Sequence, residues 1–172
     1  MTDDAARVFL NYSAENLKRS AARIEDCLGR LNYDQIWLRG SDASNAIGNL
    51  VLHLAGNVRQ WIGYGVAGLP NVRDRDAEFA ARGGPDAAEL LSKLHGSVND
   101  AAVTIAGLAP QRLTERITVQ AYDVTVLEAI YHVVEHFAQH TAQIIFATKL
   151  LTNDDLGYYR HLTQPAHSEK TP

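Results

Sequence analysis

The side chains best suited to chemistry in this chain are histidines. In "YHVVEHFAQH", residues 131 to 140, His132, His136 and His140 recur every four residues. On a helix four residues advance about 400° around the axis, so successive rings sit only ~40° apart and climb one face together. An HxxxH pair offers two neutral imidazoles from one rigid element, a ligand type that suits Zn²⁺, Ni²⁺ or Fe²⁺. The pair alone is a modest signal and needs a third ligand from elsewhere. His53 is the candidate, because it lies within "AIGNLVLHLAG", flanked by Leu50, Val51, Leu52 and Leu54. An imidazole buried among those side chains is costly unless it has a partner. Three imidazoles leave coordination positions open to water or substrate, so the expected site is reactive.

Around His53 the same helical line carries Asn49, Asn57 and Gln60; the matching line on the later segment is Glu128, His132, His136 and His140. If the two lines face each other, they frame a polar channel for one divalent ion. His132 stands in the same spacing to His136 as His140 does, so spacing leaves both pairs open. We rank His132, with Asn49, Asn57, Glu128, Glu135, Gln139 and Gln143, among residues that orient the ligand rings or touch substrate. Arg59 and Tyr122 are further candidates for contacting substrate.

Four long segments must position these residues. The first runs from about Asp3 to Leu28, with Gly29 as its stop. The second spans about Asn45 to Val66, with Ser44 available as N-cap and a broad apolar face from Ile47 to Ile62. The third begins at Pro85 or Asp86, where Asp86 and Glu89 have capping-box spacing, and ends near Ala109 and Pro110. The fourth opens on a second such pair, Thr125 and Glu128, and continues through Leu151. These are the dimensions of an all-α four-helix bundle, and connections this long leave room for a crossover in place of up-and-down order. "NVRDRDAEFAARGG" reads as a polar connection, and "RLTERITVQAY" alternates loosely without amounting to a clear strand. Residues 1–157 are expected to form the bundle domain and residues 158–172 a short helix or tail.

Composition narrows the function classes. The 172 residues fit one domain, and the 46% hydrophobic and 21% charged fractions are those of a globular chain. With 16 Lys plus Arg against 20 Asp plus Glu, the net charge of -4 offers no broad basic face, which argues against nucleic acid as partner. The most apolar stretch is interrupted by Gly48, Asn49, His53 and Gly56, so no membrane span is expected. The lone Cys27 excludes an internal disulfide and a Cys-rich metal site, and the acidic start "MTDDAARVFL" is unlike a secretory signal; both point to the cytoplasm.

The stretches "AIGNLVLHLAGNVRQWI" and "YHVVEHFAQHTAQIIFATKLL", residues 46–62 and 131–151, resemble the DinB-like superfamily of metalloenzymes. The resemblance implies a four-helix bundle holding one divalent ion, nickel, zinc or iron, on one histidine of the second long helix and an HxxxH pair of the fourth. Those positions fall on His53, His136 and His140, which leaves His132 outside the ligand set. Characterised relatives transfer or use low-molecular-weight thiols such as bacillithiol and mycothiol, and members commonly form homodimers. The expectation is an enzyme that activates such a thiol or water against a small-molecule substrate, for S-transfer, isomerisation or hydrolysis. The competing expectation is a bundle that binds metal or a small ligand without catalysis.

Overall fold

Helix α1, Asp3–Leu28, starts where Thr2 Oγ1 accepts the Ala5 N–H and where Asp3 and Asp4 meet the positive end of the helix dipole. Its buried face, Ala6, Leu10, Ala14, Leu17, Ala21, Ile24 and Leu28, keeps the three- and four-residue spacing that turns one stripe inward. The short helix α2, Tyr33–Trp37, follows. Helix α3, Ile47–Val58, passes directly into a π-helical segment, Arg59–Val66. Ser44 does not cap α3. Its hydroxyl closes the preceding turn on Ser41, and it is Asn49 Oδ1 that accepts the Ala46 N–H at the helix start.

Helix α4, Arg75–Ala80, lies inside what reads in sequence as a polar connection, and Asp74 caps it. Helix α5, Ala87–Gly107, opens on the expected Asp86–Glu89 capping box. A 3₁₀ turn and a two-stranded antiparallel hairpin come next, β1 at Arg116–Val119 and β2 at Tyr122–Thr125. The alternation in that region is therefore a real hairpin. Helix α6, Val126–Thr152, begins at the Thr125–Glu128 box, and Asn153 closes it in the left-handed conformation.

The long helices α1, α3, α5 and α6 form the bundle. α1 packs on α5 and α6, and α3 also packs on α5 and α6, so α1/α3 and α5/α6 are the diagonals. The connections α1→α3 and α5→α6 both cross a diagonal. The core fills with aliphatic side chains from all four helices, together with Phe137 and Trp61. No helix is long and apolar enough to cross a membrane among the described residues.

The computed structural model describes residues 2–163, so of the expected tail only 158–163 are described and 164–172 lie outside. The tail's first residue is anchored to the bundle. The Tyr158 hydroxyl lies 2.8 Å from Asp26 Oδ2 and 3.6 Å from the buried Cys27 Sγ.

Candidate metal centre

On α6 the residues facing the core are Ala129, Val133, Phe137, Thr141 and Ile144. His132, His136 and His140 each precede one of these by one position, so their line is turned by about 100° to the edge of the buried stripe. All three are half-buried as a result. α3 lies along that edge and supplies His53, which is 5% exposed.

His53 Nε2 lies 2.8 Å from His136 Nε2. Together with a ring nitrogen of His140, the three candidate ligand atoms all fall within 4.8 Å of one another, and no other such group of His, Cys, Asp or Glu occurs among the described residues. The ring planes of the trio stand nearly perpendicular pairwise, at 79°, 89° and 85°. Two bare nitrogens 2.8 Å apart repel each other, so a proton or a cation must lie between them. The donor set fits a divalent metal: imidazoles of intermediate softness from two rigid helices, with partners on the far sides of His53 and His140.

Those partners differ from ring to ring. His140 Nδ1 lies 2.7 Å from Gln143 Oε1, which fixes its N–H outward and leaves Nε2 bare. His53 Nδ1 faces Glu78 Oε2 at 3.2 Å and Arg73 Nη2 at 2.9 Å. Arg73 in turn holds both Glu78 oxygens, Oε1 at 2.8 Å and Oε2 at 2.7 Å, and donates to Gln60 Oε1 at 2.9 Å.

The electrostatics keep the trio's α6 members neutral. Burial, reinforced by His140 and His53, pushes His136 down to about 3. Burial also lowers His140, and the hydrogen bond to Gln143 only partly opposes this. For Glu78 burial acts to raise the pKa, but hydrogen bonds from Arg73 and His53 outweigh it and hold the carboxyl below its ordinary value. Glu78 is therefore an anion beside His53.

A match over residues 4–166 to the family described as "Protein of unknown function (DUF1572)" decides the chain's relationship. The chain belongs to the DUF1572 family. Among solved structures this DUF1572 chain is similar to one described as the conserved protein of locus from Enterococcus faecalis, with a TM-score of 0.72 and 15% identity, over 83% of this chain and 96% of that one. At that identity the likeness is one of fold. No curated protein matches the DUF1572 chain.

Of the expected site residues, His53, His136 and His140 come together. His132 stacks on His136, with centroids 5.5 Å apart and planes at 15°, and its other neighbour is Trp61 at 4.3 Å. It is thus next to the trio without joining it. The two polar lines do not face each other along their length. Asn49 is turned to α4, where its Nδ2 donates to the carbonyls of Glu78 and Ala81. Glu128 is spent on the α6 N-terminus, accepting from Thr125 N–H and Oγ1–H. Gln139 and Glu135 lie on the exposed face of α6. Asn57 is 4% exposed with Oδ1 unpartnered, and one turn on, Trp61 is 3% exposed with Nε1 unpartnered. Arg59 is exposed, and Tyr122 stacks on Trp61 at 6.3 Å. Sequence reasoning missed Arg73, Glu78 and Phe79, whose ring packs 4.7 Å from His53. The available signal was six charged residues and an aromatic gathered in "NVRDRDAEFAARGG", a segment short enough to dismiss as linker.

Proposed function

We propose that the protein is a DinB-like metal-dependent enzyme in which His53, His136 and His140 hold one divalent cation, nickel, zinc or iron. The observation that supports this most is the 2.8 Å approach of the His53 and His136 Nε2 atoms, with His140 completing a mutually perpendicular trio. A divalent cation bound there supplies a Lewis acid that lowers the pKa of a thiol or water and so provides a nucleophile at neutral pH.

The chain's own residues prepare that chemistry. Burial keeps His136 and His140 unprotonated near neutrality. Glu78 and Gln143 face the Nδ1 atoms of His53 and His140, leaving the opposite nitrogens for the ion. Phe79 and Trp61 set apolar surface against His53 and His132 and limit water beside the rings. Cys27 is fully buried against Tyr158, so the reacting thiol is a small soluble one. The half-buried His136 and His140 favour a site open to a small-molecule substrate over a sealed, non-catalytic one. Reactions of this kind are S-transfer, isomerisation and hydrolysis, and we place the protein in the cytoplasm as a homodimer.

The test is elemental analysis of protein purified without an affinity tag, then incubation of the metal-loaded protein with low-molecular-weight thiols and electrophiles. We expect one metal per chain and turnover that is lost in His136→Ala. Turnover unchanged in that variant would remove the metal from the reaction.

A further inference from the structure

We propose that Glu78, seated against Gly56 and gripped by Arg73, is a positioning residue that decides which ring nitrogen of His53 is free to bind metal. The inference rests on the metal reading above and adds the control of one ligand.

His53 Nδ1 has two neighbours with opposite demands. Glu78 Oε2, at 3.2 Å, can only accept, so it favours a proton on Nδ1. Arg73 Nη2, at 2.9 Å, can only donate, so it favours a bare Nδ1. The choice is transmitted across the ring. With the proton on Nδ1, Nε2 is bare and faces the cation site. With Nδ1 bare, the proton sits on Nε2 and is donated to His136 Nε2 at 2.8 Å, which fills the place of the ion. One tautomer opens the centre and the other closes it.

The Glu78 carboxylate opposes the guanidinium from within the same cluster. It engages Arg73 through both oxygens, so the positive charge facing His53 is neutralised and the ring proton is drawn toward Oε2. Removing that negative charge would leave Arg73 as the dominant neighbour and stabilise the closed tautomer.

The sequence makes room for this arrangement at Gly56, one turn beyond His53. A Cβ at residue 56 would collide with Glu78 Oε1 and approach Arg73 Nε to 3.1 Å. A glycine mid-helix ordinarily weakens the helix, and here it admits the carboxylate. The group that must yield to a Cβ is a side-chain end, so Gly56→Ala is expected to fold with Glu78 displaced. From below, Asn49 Nδ2 holds the Glu78 carbonyl at 2.9 Å and fixes α4 in place.

The experiment titrates Zn²⁺ into metal-stripped full-length protein against a competing chromophoric chelator, for wild type, Glu78→Gln, Gly56→Ala and the double variant. Ring ¹⁵N shifts of His53 are recorded for each metal-free protein, and circular dichroism verifies folding. We expect Glu78→Gln to weaken Zn²⁺ binding by roughly 10- to 100-fold, as loss of such a partner does at other histidine sites. Gly56→Ala should weaken it in the same direction, the double variant should be little worse than Glu78→Gln, and in both single variants the His53 proton should move toward Nε2. Wild-type affinity in Glu78→Gln, or an unchanged His53 tautomer, would overturn Glu78's role while leaving the metal reading intact. Failure of the wild-type protein to bind Zn²⁺ would instead overturn the metal reading and the inference with it.

Discussion

Nε2 of His53 lies 2.8 Å from Nε2 of His136, across 83 residues of sequence. The contact joins α3 to α6 at the edge of α6's buried stripe. Neither ring could be placed there without a partner, because a buried imidazole nitrogen with no hydrogen bond or ion is expensive. A cation between them would link the two helices.

Metal binding should therefore stabilise the fold. At a free Zn²⁺ concentration a hundred times Kd, the folded state gains about 2.7 kcal/mol, seen as a rise in Tm. His53→Ala and His136→Ala should each abolish most of that rise while still melting cooperatively without metal. Thermal scans with and without Zn²⁺ provide the check, and an undiminished rise in His136→Ala would place the ion elsewhere.

The metal-free protein should lose stability in mild acid. Burial, with His140 and His53 nearby, holds folded His136 at about 3, against an ordinary value of 6.5. Between those values the unfolded chain takes up a proton that the folded chain refuses, so stability present above pH 6.5 declines as pH falls toward 3. His132 and His140 are lowered by burial and act in the same direction. Glu78, also lowered on balance, adds its loss as pH drops below the ordinary carboxyl value. Urea midpoints at several pH values between 7 and 4 should decrease steadily; a flat profile would contradict the burial of these rings.

Gly65→Ala should destabilise the protein by about 1–3 kcal/mol, the usual cost of overpacking. A Cβ at residue 65 would strike Val119 Cγ2 and approach Ile117 Cδ1 to 3.4 Å, pushing the hairpin off the π-helical segment. Denaturant unfolding measures the cost, and a variant as stable as wild type would show that the hairpin is not seated there.

Asn49→Ala should cost about 2–3 kcal/mol, since it leaves several buried backbone groups without partners. Its Oδ1 accepts from Ala46 N–H and Arg39 Nη2, and its Nδ2 donates to the carbonyls of Glu78 and Ala81. Because α4 carries Glu78, the same variant should bind Zn²⁺ more weakly. Full affinity in a destabilised variant would separate the α4 clamp from the metal centre.

What could be read in advance follows from how local each signal is. The long helices announce themselves through periodic apolar residues and two capping boxes, Asp86–Glu89 and Thr125–Glu128, all within a few residues of one another. The His136–His140 pair was legible for the same reason, and His53 because an imidazole amid leucines needs a partner. Glu78 was not legible. Its helix, Arg75–Ala80, is too short to show a period, and its meaning depends on His53, 25 residues away. The hairpin turn was hidden because Gln120 and Ala121 adopt positive φ, 52° and 64°, where Asn or Gly would have marked it. The α3 cap was misread because Ser44 and Asn49 are both competent acceptors, and packing against α4 decides between them.

The most direct test is a crystal structure of the metal-loaded protein with the ion located by its anomalous scattering. We expect a single Zn²⁺ bound by one nitrogen each of His53, His136 and His140 at ~2.0–2.1 Å, with at least one remaining position held by water or left open. An ion bound elsewhere, or a loaded protein in which the His53 ring has turned away from His136, would contradict the metal centre.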